Sequence, residues 1–103
     1  MKIIRCLSER IEDEMDDALN YIELAMQWRQ EEPETAELFY TLSVEEMGHM
    51  EKLHDAVVSL ITKYRNEHGE PPKDMMTLYE YLHEKHIKRA TEIRVRQGMF
   101  TGA

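Results

Sequence analysis

Val44-Glu45-Glu46-Met47-Gly48-His49 lies in the middle of the longest uninterrupted helical pattern of the chain. Leu42, Glu46, His49, Leu53, Ala56 and Leu60 follow one another by alternating steps of four and three, so on a helix they form one stripe. A carboxylate and an imidazole therefore interrupt an apolar seam. Burying such groups is costly unless the charge is paired or bound to a metal. Glu46 and His49 stand about 60° apart around the helix and roughly 4.5 Å apart along it, so both side chains reach one point. This is the geometry of a Glu-x-x-His half-site facing the interior of a helical bundle.

Upstream of this stretch, Ile11, Met15, Ala18, Tyr21, Ile22, Ala25 and Trp28 recur by threes and fours and predict a first helix over about 8–31. Ser8 is the expected N-cap, with Glu9, Glu12, Asp13 and Glu14 favouring the positive end of the helix dipole. Glu14 falls on the apolar stripe between Ile11 and Ala18, while Asp13, Asp16 and Asp17 read as a solvated face. Pro33 suits the first turn of a new helix, so the second helix is expected over about 33–67, with Gly69 as its stop. So short a turn makes the two helices an antiparallel hairpin. Measured from the turn, Glu14, Glu46 and His49 then lie within roughly 6 Å of one height, and all three can converge.

After Glu70-Pro71-Pro72-Lys73, a third helix is expected over about 74–97, capped by Asp74 and stopped by Gly98. Its better apolar face is Met75, Leu78, Tyr79, Leu82, His86, Ala90 and Ile93, and Met99 to Ala103 reads as a frayed tail. No alternating Val/Ile/Thr run reads as a strand, and Glu, Leu, Met, Ala, Lys and Arg dominate. The fold class is all-α, in a single domain of 103 residues that gains from a partner to cover its stripes.

The net charge of −8 argues against nucleic acid and against an anionic membrane surface as partners, and is compatible with attracting cations. A lone Cys6 allows no intrachain disulfide and no thiolate cluster, which fits a reducing compartment. The opening residues carry no apolar run long enough for a signal peptide or membrane span, and a cytoplasmic protein is expected.

Glu-x-x-His occurs at Glu46/His49, Glu51/His54 and Glu80/His83. In a chain this rich in Glu the pattern alone means little, and position must decide. Glu51 and Glu80 turn about 200° from His49 and Leu82, so the latter two pairs are expected on polar surfaces. His86, on an apolar face, is expected as a satisfied core histidine. Glu14, Glu46 and His49 together offer two carboxylates and one imidazole, a set suited to Fe or Mn and less well to a structural Zn. Three ligands do not complete an octahedral site. Two hairpins about a twofold axis would supply four Glu and two His, the complement of a di-iron carboxylate bundle, so a homodimer is expected.

Glu14 followed by Tyr21 and then Leu24-Ala25, with Phe39 seven residues before Glu46 and His49 after it, resembles the helical hairpin of rubrerythrin and other ferritin-like proteins. The likeness covers about residues 11–60. A single hairpin in a short chain is similar to the encapsulated ferritins, which complete a di-iron ferroxidase centre between two subunits. The resemblance implies a ferritin-like four-helix bundle formed by homodimerisation, with Glu14, Glu46 and His49 as metal ligands, Tyr21 as a phenol beside the metals, and Asp13 and Asp16 as acidic entry residues. No encapsulin-targeting tail and no rubredoxin-like Cys cluster accompany it. The expected function is iron binding with ferroxidase activity. The alternatives are a helical dimerisation module in which Glu46 and His49 form a polar layer fixing register, and a ferritin-like metal binder without turnover.

Overall fold

A computed structural model describes residues 2–102. Three helices run in order: α1 Lys2–Trp28, α2 Pro33–His68 and α3 Lys73–Phe100, with no strand among the described residues. The molecule is a rod of 56 × 20 × 17 Å, its length set by the 36 residues of α2 at about 1.5 Å each.

The hairpin forms as expected. Arg29 to Glu31 make a turn, Glu32 donates its N–H to the Trp28 carbonyl at 2.9 Å, and Pro33 opens α2. At the far end Gly69 takes a positive φ of 81° and donates to the Arg65 carbonyl at 3.0 Å, a conformation that favours glycine.

The ends differ from expectation in four places. The first helix begins at Lys2, and Ser8 is a buried residue inside it rather than its cap, because Ile4, Ser8, Ile11 and Met15 continue the four-three-four spacing upstream. That helix closes at Trp28, short of residue 31. Pro72 and not Asp74 occupies the cap position of α3, leaving Asp74 in the first turn where its charge meets the helix dipole. Gly98 does not stop α3, nor is the tail frayed over residues 99–102, Ala103 lying outside the described residues: Phe100 is buried, its ring stacked on Tyr40 at 5.2 Å with the Arg29 guanidinium 5.3 Å above it. Burying that ring outweighs the roughly 1 kcal/mol a glycine costs within a helix.

The core runs along the hairpin seam. Ile11, Met15 and Ala18 of α1 meet Met47, Met50, Val57 and Ile61 of α2, while nearer the turn Ile22 and Ala25 cluster with Ala36 and Phe100. The core line of α2 is therefore one residue on from the stripe anticipated from sequence. Leu42, Glu46, Leu53, Ala56 and Leu60 are half-buried on its flank, and His49 is exposed.

The third helix packs back on its own hairpin through His86, Ala90, Ile93, Gln97 and Phe100, whereas Leu78, expected on its inner face, is exposed. Its register is fixed by one buried polar chain: Gln97 Nε2 donates to Ser43 Oγ at 2.9 Å, and Ser43 Oγ donates to the Ala18 carbonyl at 2.7 Å. Exposed ion pairs flank this seam, Arg89 with Asp16, Arg94 with Glu51, and Arg96 with Glu23. Such pairs each contribute little in water.

Candidate metal centre

Those cross-helix pairs show which side α3 takes: the Glu12, Asp16 and Glu23 side of α1 and the Glu51 side of α2. Glu14 lies two residues from both Glu12 and Asp16, about 200° around the helix from either, so it projects from the other side of the hairpin. There it meets Glu46 and His49. His49 Nδ1 is 3.4 Å from Glu14 Oε2 and 3.6 Å from Glu46 Oε2. One ligand atom from each of the three residues lies within 4.8 Å of the others. The antiparallel register that places Met15 against the core of α2 is what carries Glu14 to the height of Glu46 and His49.

Burial is uneven. The carboxylates are largely covered, with 25% of the Glu14 side chain and 19% of Glu46 exposed, while the His49 ring is 55% exposed. Glu14 Oε2 is buried and accepts no hydrogen bond, the His49 nitrogen being at ion-pair distance only. An unsatisfied buried carboxylate oxygen is uncommon and calls for a proton or a cation beside it.

The electrostatics say the same. The Glu46 carboxyl is pushed up from 4.5 to about 7, first by hydrogen bonding with the Glu14 carboxyl, then by burial and by the charge of Glu14, with Asp17 adding and His49 opposing. Two ionised carboxylates have no donor between them, and a proton on Glu46 provides one. A cation would do the same for both at once. The donor set and the buried oxygen thus could hold a metal ion.

The other residues singled out in the sequence divide. Tyr21 is half-buried two turns along α1 from Glu14, about 10 Å away along the axis, its ring stacked on Phe39 at 6.3 Å between centres. Asp13 is exposed and paired with Arg10, and Asp16 is turned to Arg89 of α3; neither faces the centre. Asp17, expected to be merely solvated, does act on Glu46. Its place one turn on from Glu14, at three residues, was the available signal.

Glu51/His54 and Glu80/His83 are not surface ion pairs. The glutamates are exposed, Glu51 going to Arg94, but His54 and His83 are half-buried and stacked on each other across α2 and α3. The expectation of solvated groups on polar surfaces holds for the two glutamates and fails for the histidines, whose side was inferred from the glutamates three residues before them. His86 is the buried histidine anticipated, with Nε2 3.4 Å from Glu12 Oε1. No helix among the described residues is long and apolar enough to cross a membrane.

Comparison of the chain with protein-family models, with curated proteins and with solved structures gives no match, so what the centre does is argued from its geometry.

Proposed function

We propose that this chain is an iron-binding protein of the ferritin-like kind, a ferroxidase whose di-iron centre is completed by two copies of the hairpin. The observation that carries the proposal is the convergence of Glu14, Glu46 and His49 from two helices, with Glu14 Oε2 buried and unpartnered. Leu42 and Leu53, half-buried one turn before Glu46 and one turn after His49, support a second copy as the cover of the centre.

Bound Fe(II) would give up one electron per ion to dioxygen or peroxide and leave as Fe(III). The chain's own part is to supply charge and to orient it. Glu14 and Glu46, short of a counter-charge, favour the more highly charged product. His49 presents Nδ1 to the carboxylates, and its exposed ring lies on the side that a second copy would cover. Mn or Zn are the competing occupants.

A dimerising interaction module is the second reading, favoured by the Glu46 carboxyl itself. Kept protonated by Glu14 until the pH approaches about 7, it makes a polar layer that needs no metal. A metal binder without turnover lies between the two.

Anaerobic Fe(II) titration followed by oxygen separates all three. The ferroxidase predicts roughly one tightly held iron per chain, oxidised on adding oxygen, and loss of both behaviours in Glu46→Ala and His49→Ala. Binding without accelerated oxidation identifies the inert metal binder. No tight iron, with variants indistinguishable from the parent, leaves the interaction module.

A further inference from the structure

On the opposite side of the hairpin the α2–α3 seam holds a second cluster that the proposed chemistry does not use. His54 of α2 and His83 of α3 stack face to face, ring centres 4.8 Å apart and planes 14° from parallel. Tyr79, one turn before His83, stacks on it at 5.7 Å. His86, one turn after, is buried against Glu12. His54, His83 and His86 all line one void of about 10 Å³ where the three helices meet, which is about the room one water needs.

Parallel rings make a poor chelate, because their in-plane lone pairs run side by side rather than converge. They make a good contact between neutral imidazoles and a bad one between two imidazolium ions, whose like charges repel strongly where water is scarce. We propose that the stacked rings of His54 and His83 are a proton-sensitive latch, which holds the first half of α3 on the hairpin when neutral and releases it when protonated.

The surrounding charges are arranged so that a histidinium here goes largely uncompensated. From α1, Asp16 is committed to Arg89, and Glu12 serves His86 at 3.4 Å and Lys85 at 4.0 Å. From α2, Glu51 is committed to Arg94, and Asp55 shares with His54 and His83 the lining of an open groove between α2 and α3. On α3 itself Glu84 favours the charged form of His83, but burial and then His54 outweigh it and hold His83 below the ordinary 6.5. Burial likewise lowers His86, against the pull of Glu12. The sign follows. An opened α3 takes protons near 6.5 and a docked one only below that, so docking is at full strength above 6.5 and weakens as pH falls through the lowered values. This inference does not rest on the metal centre.

Hydrogen–deuterium exchange of the full metal-free chain at about pH 7.5 and about pH 5, corrected for intrinsic rates, tests it. The latch predicts that amides over 77–88 lose protection selectively relative to those of α1, by up to about tenfold for each pH unit by which the imidazole values are lowered. His83→Phe keeps a stacked ring without the charge and is expected to flatten that pH dependence. Equal loss of protection in all three helices, or an unchanged pH dependence in His83→Phe, overturns the latch. Should that variant not fold, ring titration of the parent by NMR decides: both His54 and His83 titrating at or above 6.5 refutes the proposal, and a lowered value for either supports it.

Discussion

The Glu46 carboxyl is the single group whose state says most about this protein. Raised from 4.5 to about 7 by Glu14 and by burial, it costs the metal-free fold stability as pH rises through that window, because the unfolded chain has by then released a proton that the folded chain retains. The contribution is fully present below about 4.5 and gone above about 7. Replacing Glu14 by Gln removes the neighbouring charge while keeping a hydrogen-bonding partner. Metal-free Glu14→Gln is therefore expected to be more stable at pH 8 than the parent, by on the order of 1 kcal/mol, and to bind Fe(II) more weakly. Thermal unfolding in chelator with and without Fe(II) reads both effects. A variant that loses apo stability would show that Glu14 serves packing rather than metal. The His83 and His86 imidazoles act with the opposite sign in an overlapping window, since their lowered values withdraw stability as pH falls. Glu46→Gln and His83→Phe separate the two slopes.

Among the elements, α2 shows what sequence can and cannot locate. Its existence, its start at Pro33 and its end at Gly69 were all legible, because proline and glycine mark helix ends by covalent geometry. The convergence of Glu14 with Glu46 and His49 was legible too, from the length of the turn alone. The face was less so. Two neighbouring stripes, Leu42-Glu46-His49-Leu53-Ala56 and Ser43-Met47-Met50-His54-Val57, have equal spacing. Only the packing of Met15 and Ala18 shows that the second is the core. The docking of α3 was not legible, since its register depends on a buried serine that no periodicity distinguishes from a surface one. Ser43→Ala is expected to leave the Gln97 amide without its acceptor and to cost about 1–3 kcal/mol, measured by urea unfolding at constant m-value. Met15, fully buried in the seam, is expected to cost about 2–5 kcal/mol as Met15→Ala.

For the whole molecule, the third helix and the candidate centre take opposite sides of one hairpin. The side covered by α3 is closed by Ile93, Phe100 and the Ser43–Gln97 pair. The other side keeps Leu42 and Leu53 half-buried along α2, one turn before Glu46 and one turn after the exposed His49. A second copy would cover those leucines and bring a second Glu14, Glu46 and His49 to the first, which turns two incomplete ligand sets into one complete di-iron set. Leu53→Glu is expected to weaken association tenfold or more, about 1.4 kcal/mol, while leaving the monomer helical by circular dichroism. The most direct test of a centre shared between chains is sedimentation of the parent and of Glu46→Ala under anaerobic conditions, with and without Fe(II). The account predicts a parent dimer that tightens as about one iron per chain is taken up, and a variant that neither binds iron nor responds to it. A parent whose size and iron content are the same as those of the variant would contradict it.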